Sequence, residues 1–138
     1  MMRGRLLSLT LGAVAVSWLA VSAEAPPDTC QKSMQKLGKL MSSMRGSAEA
    51  KEWPAIAADA ASVKTTLKST ETFWETRKFA DAITHSKNAF KAATDIETAA
   101  KAKNEEGITA GLGTLNRSCN SCHTAHRMRT ADGKYEIK

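Results

Sequence analysis

Two thiols and an imidazole lie within five consecutive residues near the C-terminus: Cys119, Asn120, Ser121, Cys122 and His123. The spacing Cys-x-x-Cys-His is the attachment pattern of a c-type haem. Each thiol can add across one vinyl group of the porphyrin, and the adjacent histidine can bind the iron as the proximal ligand. On a helix, which turns about 100° per residue, the three side chains share one face. The pattern therefore predicts one covalent haem c, and with it one iron, per chain.

Two other chemistries use the same residue types. A structural zinc site needs a fourth ligand, usually from a second Cys/His pair, and the sequence has no such pair at a suitable spacing. A redox dithiol of the thioredoxin kind needs a strand before the motif, within a βαβ unit, whereas the residues before Cys119 have a helical pattern. A helical zinc or thiol protein of the cell envelope therefore stays open as the haem-free alternative.

The N-terminus has the organisation of a secretory signal peptide. Arg3 and Arg5 precede an apolar run over residues 6–21, and small residues follow this run. The run is shorter than the roughly 20 residues that a membrane-spanning helix needs. We expect cleavage after Ala23, a periplasmic location and no stable membrane insertion after cleavage. An uncleaved anchor is the alternative.

The mature chain, residues 24–138, is expected to be a single domain. Its composition limits the classes of partner that it can bind. The full chain carries 20 Lys and Arg against 14 Asp and Glu, and the leader removes two arginines, which lowers the net charge from +6 to +4. The basic residues are dispersed and lack interleaved aromatics, so nucleic-acid binding is not expected. Two of the three cysteines belong to the haem motif, which excludes an intramolecular disulfide if haem is bound.

The remaining chain predicts four amphipathic helices, the first running from Asp28 to Arg45 with Gly46 as its stop. Pro54 is expected in the first turn of the second helix, and Asn104 as the N-cap of the fourth. The apolar stripes are Cys30, Met34, Leu37, Met41 and Met44; Ile56, Ala60, Val63, Leu67 and Trp74; Phe79, Ile83, Phe90, Ala93 and Ala100; and Ile108, Leu112, Leu115, Cys119 and Cys122. Short connections predict an all-α, up-down-up-down antiparallel four-helix bundle, with residues 130–138 as a loose tail.

These features together resemble the class II cytochromes c, the group of cytochrome c-prime and its low-spin relatives. The haem motif is close to the C-terminus, Arg127 follows His123 by four residues, and Met34 begins a Met-Gln-x-Leu stretch where that family places the residue facing the distal side of the iron. Two positions depart from the family: Cys30 stands where arginine is frequent, and His126 where an aromatic residue is common. The resemblance implies a haem-binding bundle and makes Met34 the candidate sixth ligand.

Helix geometry ranks the methionines independently. Met34 lies six residues after Asp28, and His123 lies six residues before Arg129, so both are expected about 9 Å from the same end of the bundle. Met41 and Met44 lie further along the axis and are interpreted as core.

Other polar side chains can be sorted from the same pattern. Arg127 and Arg129 are candidates to pair with the haem propionates, and His126 is a candidate neighbour of the haem edge. Cys30 is expected to be a buried, inert thiol, with an intermolecular disulfide or a redox role as the alternative. His85 lies about 200° from the third helix's apolar stripe and is expected in solvent.

The sequence therefore predicts an electron carrier rather than an enzyme, with His123 and Met34 as axial ligands and redox proteins of the cell envelope as partners. The alternative is a five-coordinate protein of the cytochrome c-prime kind that binds nitric oxide or carbon monoxide. Formation of a homodimer is left open.

Overall fold

The computed structural model describes residues 23–138, so the predicted leader lies outside the described residues except for Ala23. Four helices pack against one another, and a short two-stranded sheet follows them. The elements are α1 (Asp28–Glu49), α2 (Trp53–Arg77), α3 (Ala80–Lys101), α4 (Glu105–His126), β1 (Arg127–Arg129) and β2 (Tyr135–Ile137). The prediction of an all-α four-helix bundle is confirmed. Over residues 23–138, no helix has the length and apolar character needed to cross a membrane.

The helix ends follow local chemistry. The side chain of Asn104 accepts a hydrogen bond from the Gly107 amide at 3.0 Å, which confirms it as the N-cap of α4. Pro54 lies in the first turn of α2, where its missing N–H is not needed. The predicted stop at Gly46 is wrong, since α1 continues to Glu49. A helix-interior glycine costs only about 1 kcal/mol, which neighbouring contacts can offset.

The core confirms the predicted stripe of α2 in full and the other three in part. Every residue predicted for the stripe of α2 is buried, α1 buries Leu37, Met41 and Met44, and α4 buries Ile108 and Leu115. The stripe predicted for α3 is correct at Ala93 and Ala100 and wrong at Phe79, Ile83 and Phe90, which are only partly buried. The buried residues of α3 are small ones and one isoleucine: Ala82, Ser86, Ala89, Ala92, Ala93, Ile96, Ala99 and Ala100. The prediction followed the bulky apolar residues of α3. Its alanines are buried instead, because a small side chain allows the neighbouring helices to approach closely.

The four helices do not pack equally. α3 packs along both α2 and α4, and α1 packs along α2. α1 and α4 contact each other much more sparsely than these neighbouring pairs do. We call the gap between these two helices the α1–α4 seam. The Cys-x-x-Cys-His motif lies on α4 near its C-terminal end, beside this seam.

The C-terminal residues form a hairpin, which corrects the prediction of a loose tail over residues 130–138. β1 and β2 pair antiparallel, with Arg127 opposite Ile137 and Arg129 opposite Tyr135. Glu24 extends the pairing, since its amide donates to the Ile137 carbonyl at 3.1 Å and its carbonyl accepts from the Ile137 amide at 2.8 Å. The turn uses Gly133 at φ 82°, a left-handed conformation that glycine adopts freely. The buried Ile137 side chain packs with Trp74 and Ala82, and this contact holds the hairpin in place.

Candidate functional site

The residues of the Cys-x-x-Cys-His motif lie in the last two turns of α4. Cys119 packs against the main hydrophobic core, and Cys122 packs against the smaller cluster around Trp74. Both thiols and the His123 ring are partly buried, so none of them is simply a solvated surface group. The helical arrangement that the sequence predicted for the motif is present.

Two cavities open beside this motif. The narrower one has a volume of about 270 Å³, and its lining includes the motif residues Cys119 and His123 together with Met34. The wider one, of about 500 Å³, is lined by Cys122, His123 and Met34, and also by the hairpin. Met34 on α1 and His123 on α4 thus line both cavities from the two sides of the seam. The pair expected to bind the two faces of one iron is brought to one place.

The helix register behind that expectation needs a correction. α4 ends at His126 rather than near Arg129, so His123 lies three residues from its helix end and Met34 lies six residues after the start of α1. The offset of three residues corresponds to about 4.5 Å along the axis. The pairing of Met34 with His123 is therefore supported by the cavity walls that they share, and not by an equal distance from one end of the bundle.

The electrostatic environment favours neutral groups. Burial raises the pKa of Cys119, and burial together with the neighbouring Cys119 raises the pKa of Cys122 to about 11. Burial, with a further contribution from the positive charge of Arg127, lowers the pKa of His123. His123 is therefore biased toward the neutral imidazole, which is the form that binds a metal ion.

The backbone of α1 is open toward the narrower cavity at Gly38. A Cβ atom built at this glycine would meet no atom within 4 Å among residues 23–138, and Gly38 lines the cavity. Protein packing therefore does not explain a glycine here. The opening leaves room for a flat group to approach the α1 backbone.

Arg127 begins β1 and is exposed while it lines the wider cavity. Its guanidinium carbon lies 4.4 Å from the centroid of the Tyr135 ring, a cation–π contact across the hairpin. This contact fixes the stem of Arg127 beside the cavity. The pairing of Arg127 with a propionate stays a prediction.

Sequence reasoning missed two residues of the cavity walls. His85 was expected in solvent, but it is partly buried and lines the narrower cavity, because the buried face of α3 is the alanine face rather than the Phe79–Ile83 side. Cys30 was expected in the core, but it is only half-buried and lines the wider cavity with Cys122. The alanine spacing of α3 was the signal that could have placed His85.

A cluster of aromatic rings closes one end of the wider cavity. The ring centroids of Trp74 and His126 lie 5.1 Å apart, and those of Phe79 and His126 also lie 5.1 Å apart. The His126 Nε2 atom lies 2.8 Å from Asp81 Oδ2. The hydrogen bond from His126 is the main reason that the pKa of Asp81 is lowered. His126 therefore faces the wider cavity as a buried, positioned ring.

Within the described part of the chain, no group of three or more His, Cys, Asp or Glu side chains is arranged to hold a metal ion. An iron held by one imidazole and one thioether needs no such group, because the porphyrin supplies the other four donors.

Comparison with known proteins adds no relative. No protein-family model matches the chain, and a search of curated proteins finds no significantly similar sequence. The functional conclusion therefore depends on the residues and their geometry.

Proposed function

We propose that this protein is a periplasmic c-type cytochrome that carries electrons through one covalent haem, with His123 and Met34 as axial ligands. The main support is that Met34 and His123 line the same two cavities from α1 and α4, beside the two thiols of the motif. The sparse contact between α1 and α4 supports the insertion of a flat group in the seam. Gly38 lines the narrower cavity and leaves the α1 backbone open there, which is compatible with the same fit.

Each residue has a distinct task in this proposal. Cys119 and Cys122 would hold the ring by thioether bonds, and the neutral His123 imidazole would supply a nitrogen lone pair to the iron. Met34 would supply its thioether, a ligand that favours ferrous iron. The bound iron supplies one-electron exchange. The apolar side chains Leu37, Met41, Leu67 and Ala89 keep water from one wall of the site.

Partners follow from where the site opens. The wider cavity is bordered by the exposed Arg127 and Lys134, and the exposed Lys32, Lys36 and Lys39 lie on α1. Redox proteins of the cell envelope with an acidic docking face would suit this surface.

A second candidate function is the binding of nitric oxide or carbon monoxide by a five-coordinate haem. The narrower cavity favours it, because that cavity has an apolar wall of Leu37, Met41 and Leu67 and reaches both Met34 and His123. In this candidate function Met34 crowds the iron without binding it, and a small diatomic ligand enters from the apolar side.

Absorption spectra of matched methionine variants separate the two functions. Met34→Leu removes the thioether but keeps most of the side-chain volume, and Met44→Leu is the control because Met44 is fully buried and lines neither cavity. Such swaps cost less than about 1.5 kcal/mol, so both variants should fold. If Met34 binds iron, wild type and Met44→Leu are low-spin, whereas Met34→Leu is high-spin, binds carbon monoxide when reduced and has a lower reduction potential.

If the wild-type protein is high-spin and Met34→Leu leaves its spectrum unchanged, Met34 does not bind the iron. The binding of nitric oxide or carbon monoxide would then be the favoured function. A purified protein without haem, expressed in a host that attaches haem c, would instead favour the zinc or thiol alternative. N-terminal sequencing tests the periplasmic part: the mature chain should begin at Glu24, and a chain that retains residues 1–23 contradicts cleavage.

A further inference from the structure

Two buried ring nitrogens beside the wider cavity lack hydrogen-bond partners. Trp74 is 4% exposed and His126 is 8% exposed. Among residues 23–138, no group pairs with Trp74 Nε1 or His126 Nδ1. A buried polar atom left without a partner costs about 1–3 kcal/mol, so two on neighbouring rings point to a group that satisfies them.

The chemistry of the two nitrogens restricts that group. Trp74 Nε1 can only donate a hydrogen bond. Asp81, whose pKa is lowered mainly by its bond to His126, is an ionised carboxylate that can only accept, so His126 carries a proton on Nε2. His126 Nδ1 is then free to accept a hydrogen bond, or to share a proton that the bound group brings. One donor beside one acceptor matches a carboxyl group that keeps its proton, because its carbonyl oxygen can accept from Trp74 Nε1–H and its hydroxyl can donate to His126 Nδ1.

The surroundings favour the same class of ligand. Trp74 and His126 line the wider cavity together with Cys122 and His123. Arg127 and Lys134 border this cavity and supply positive charge, whereas Glu136 and the Asp81 carboxylate bound to His126 supply negative charge. A carboxyl group attached to a ring held by Cys122 and His123 would therefore reach two basic side chains in a part of the cavity without a large net charge, where it can keep its proton.

We propose that Trp74 and His126 hold one propionate carboxyl of the haem, with Trp74 Nε1–H donating to one oxygen and His126 Nδ1 sharing a proton with the other. The inference depends on the proposed function, since that function supplies the propionate. It assigns to these two residues the pairing that the sequence assigned to Arg127 and Arg129. Both arginines are exposed, so they act on the same carboxyl from the solvent side at most.

Nuclear magnetic resonance of the reduced holoprotein tests this arrangement without any variant. The ferrous low-spin protein is diamagnetic, and its carbon monoxide complex is diamagnetic too if the iron proves five-coordinate. We expect a nuclear Overhauser effect between the Trp74 Nε1 proton and the methylene protons of one propionate. The Nε1 proton of Trp53, which is partly buried in the main core and lines neither cavity, should show none.

A vibrational measurement checks the hydrogen bond itself. The propionate bending mode in the resonance Raman spectrum rises in frequency as its hydrogen bond strengthens. Trp74→Phe replaces the indole by a smaller aromatic ring without an N–H, so it should lower this frequency, whereas Trp53→Phe makes the same change away from the cavity and should leave it unchanged. A propionate mode that is identical in wild type and Trp74→Phe, together with no Overhauser effect, overturns the proposal.

Sodium acetate separates the haem propionate from a free carboxylate. If the propionate fills the site, acetate leaves the Trp74 Nε1 proton resonance of the holoprotein unchanged. A saturable shift of that resonance with acetate, without an Overhauser effect to the propionate, means that the site binds free carboxylates and overturns the assignment to haem. If the purified chain carries no haem, the proposed function is wrong. The acetate titration of the Trp74 Nε1 proton resonance then shows separately whether Trp74 and His126 bind a carboxyl group.

Discussion

At the level of single residues, the position of the Cys-x-x-Cys-His motif on one helix was predictable from local sequence. Cys119, Cys122 and His123 line the cavities beside Met34, as expected, whereas their attachment to haem stays a prediction. His85 was misplaced because its position depends on which face of α3 is buried. That face follows from close packing on two neighbouring helices, which no single-helix pattern contains.

The close approach of α3 and α4 gives a prediction for one glycine. A Cβ atom at Gly111 would lie 2.5 Å from Ile96 Cγ1, whereas one at Gly113 would lie 3.7 Å from its nearest atom, on Arg117. Gly111→Ala should lower the free energy of unfolding of the holoprotein by about 1–3 kcal/mol, since overpacking displaces Ile96. Gly113→Ala should raise it by about 0.5–1 kcal/mol through helix propensity. Urea denaturation measures both, and a stabilised Gly111→Ala would contradict the close α3–α4 packing.

At the level of elements, the existence of four helices was predictable from apolar periodicity and from local signals such as Pro54 and Asn104, although the end of α1 and the buried face of α3 were not. The hairpin was not, since its β1 strand has only exposed residues and its order depends on Glu24 and on the distant Trp74. Residues far apart in sequence therefore decide whether the C-terminus is ordered.

The hairpin gives a second prediction. Ile137 is 9% exposed, whereas Met128 on the paired strand is 39% exposed. Ile137→Ala should cost about 2–5 kcal/mol, and Met128→Ala should stay within about 0.5 kcal/mol of wild type. Hydrogen exchange should also show protection at the Glu24 and Ile137 amides, which are hydrogen-bonded to each other's carbonyls. If these two amides exchange in wild type as fast as those of an unstructured peptide, the C-terminal residues are a loose tail after all.

The α1–α4 seam gives a third prediction, about a single helix. α1 packs mainly on α2, whereas α3 packs on two helices, so a chain without haem holds α1 less firmly. In the double variant Cys119→Ser, Cys122→Ser, backbone amides of α1 should exchange at least about tenfold faster than in the holoprotein, with a smaller change in α3. Mass spectrometry of peptides after deuterium exchange measures this. If the α1 amides exchange equally slowly in the double variant and in the holoprotein, no group bound in the α1–α4 seam stabilises α1.

At the level of the whole molecule, the proposal joins an exported chain, a bundle with one open seam and a covalent cofactor that fills it. If the leader is cleaved as proposed, its two arginines are lost and the net charge falls from +6 to +4. Glu24, the expected first residue of the mature chain, is also the residue that pairs with β2 and forms an ion pair with Arg77. The expected cleavage after Ala23 would keep Glu24 in the mature chain, and with it both interactions.

The measurement that tests the central claim most directly is the intact mass of the protein purified from a host that attaches haem c. The mass should equal that of residues 24–138 plus one haem, and the haem should stay with the polypeptide in acid acetone. Cys119→Ser or Cys122→Ser should each remove one thioether bond, and the double variant should release all colour. A wild-type mass equal to the polypeptide alone, or haem that acid acetone extracts completely, would contradict the account.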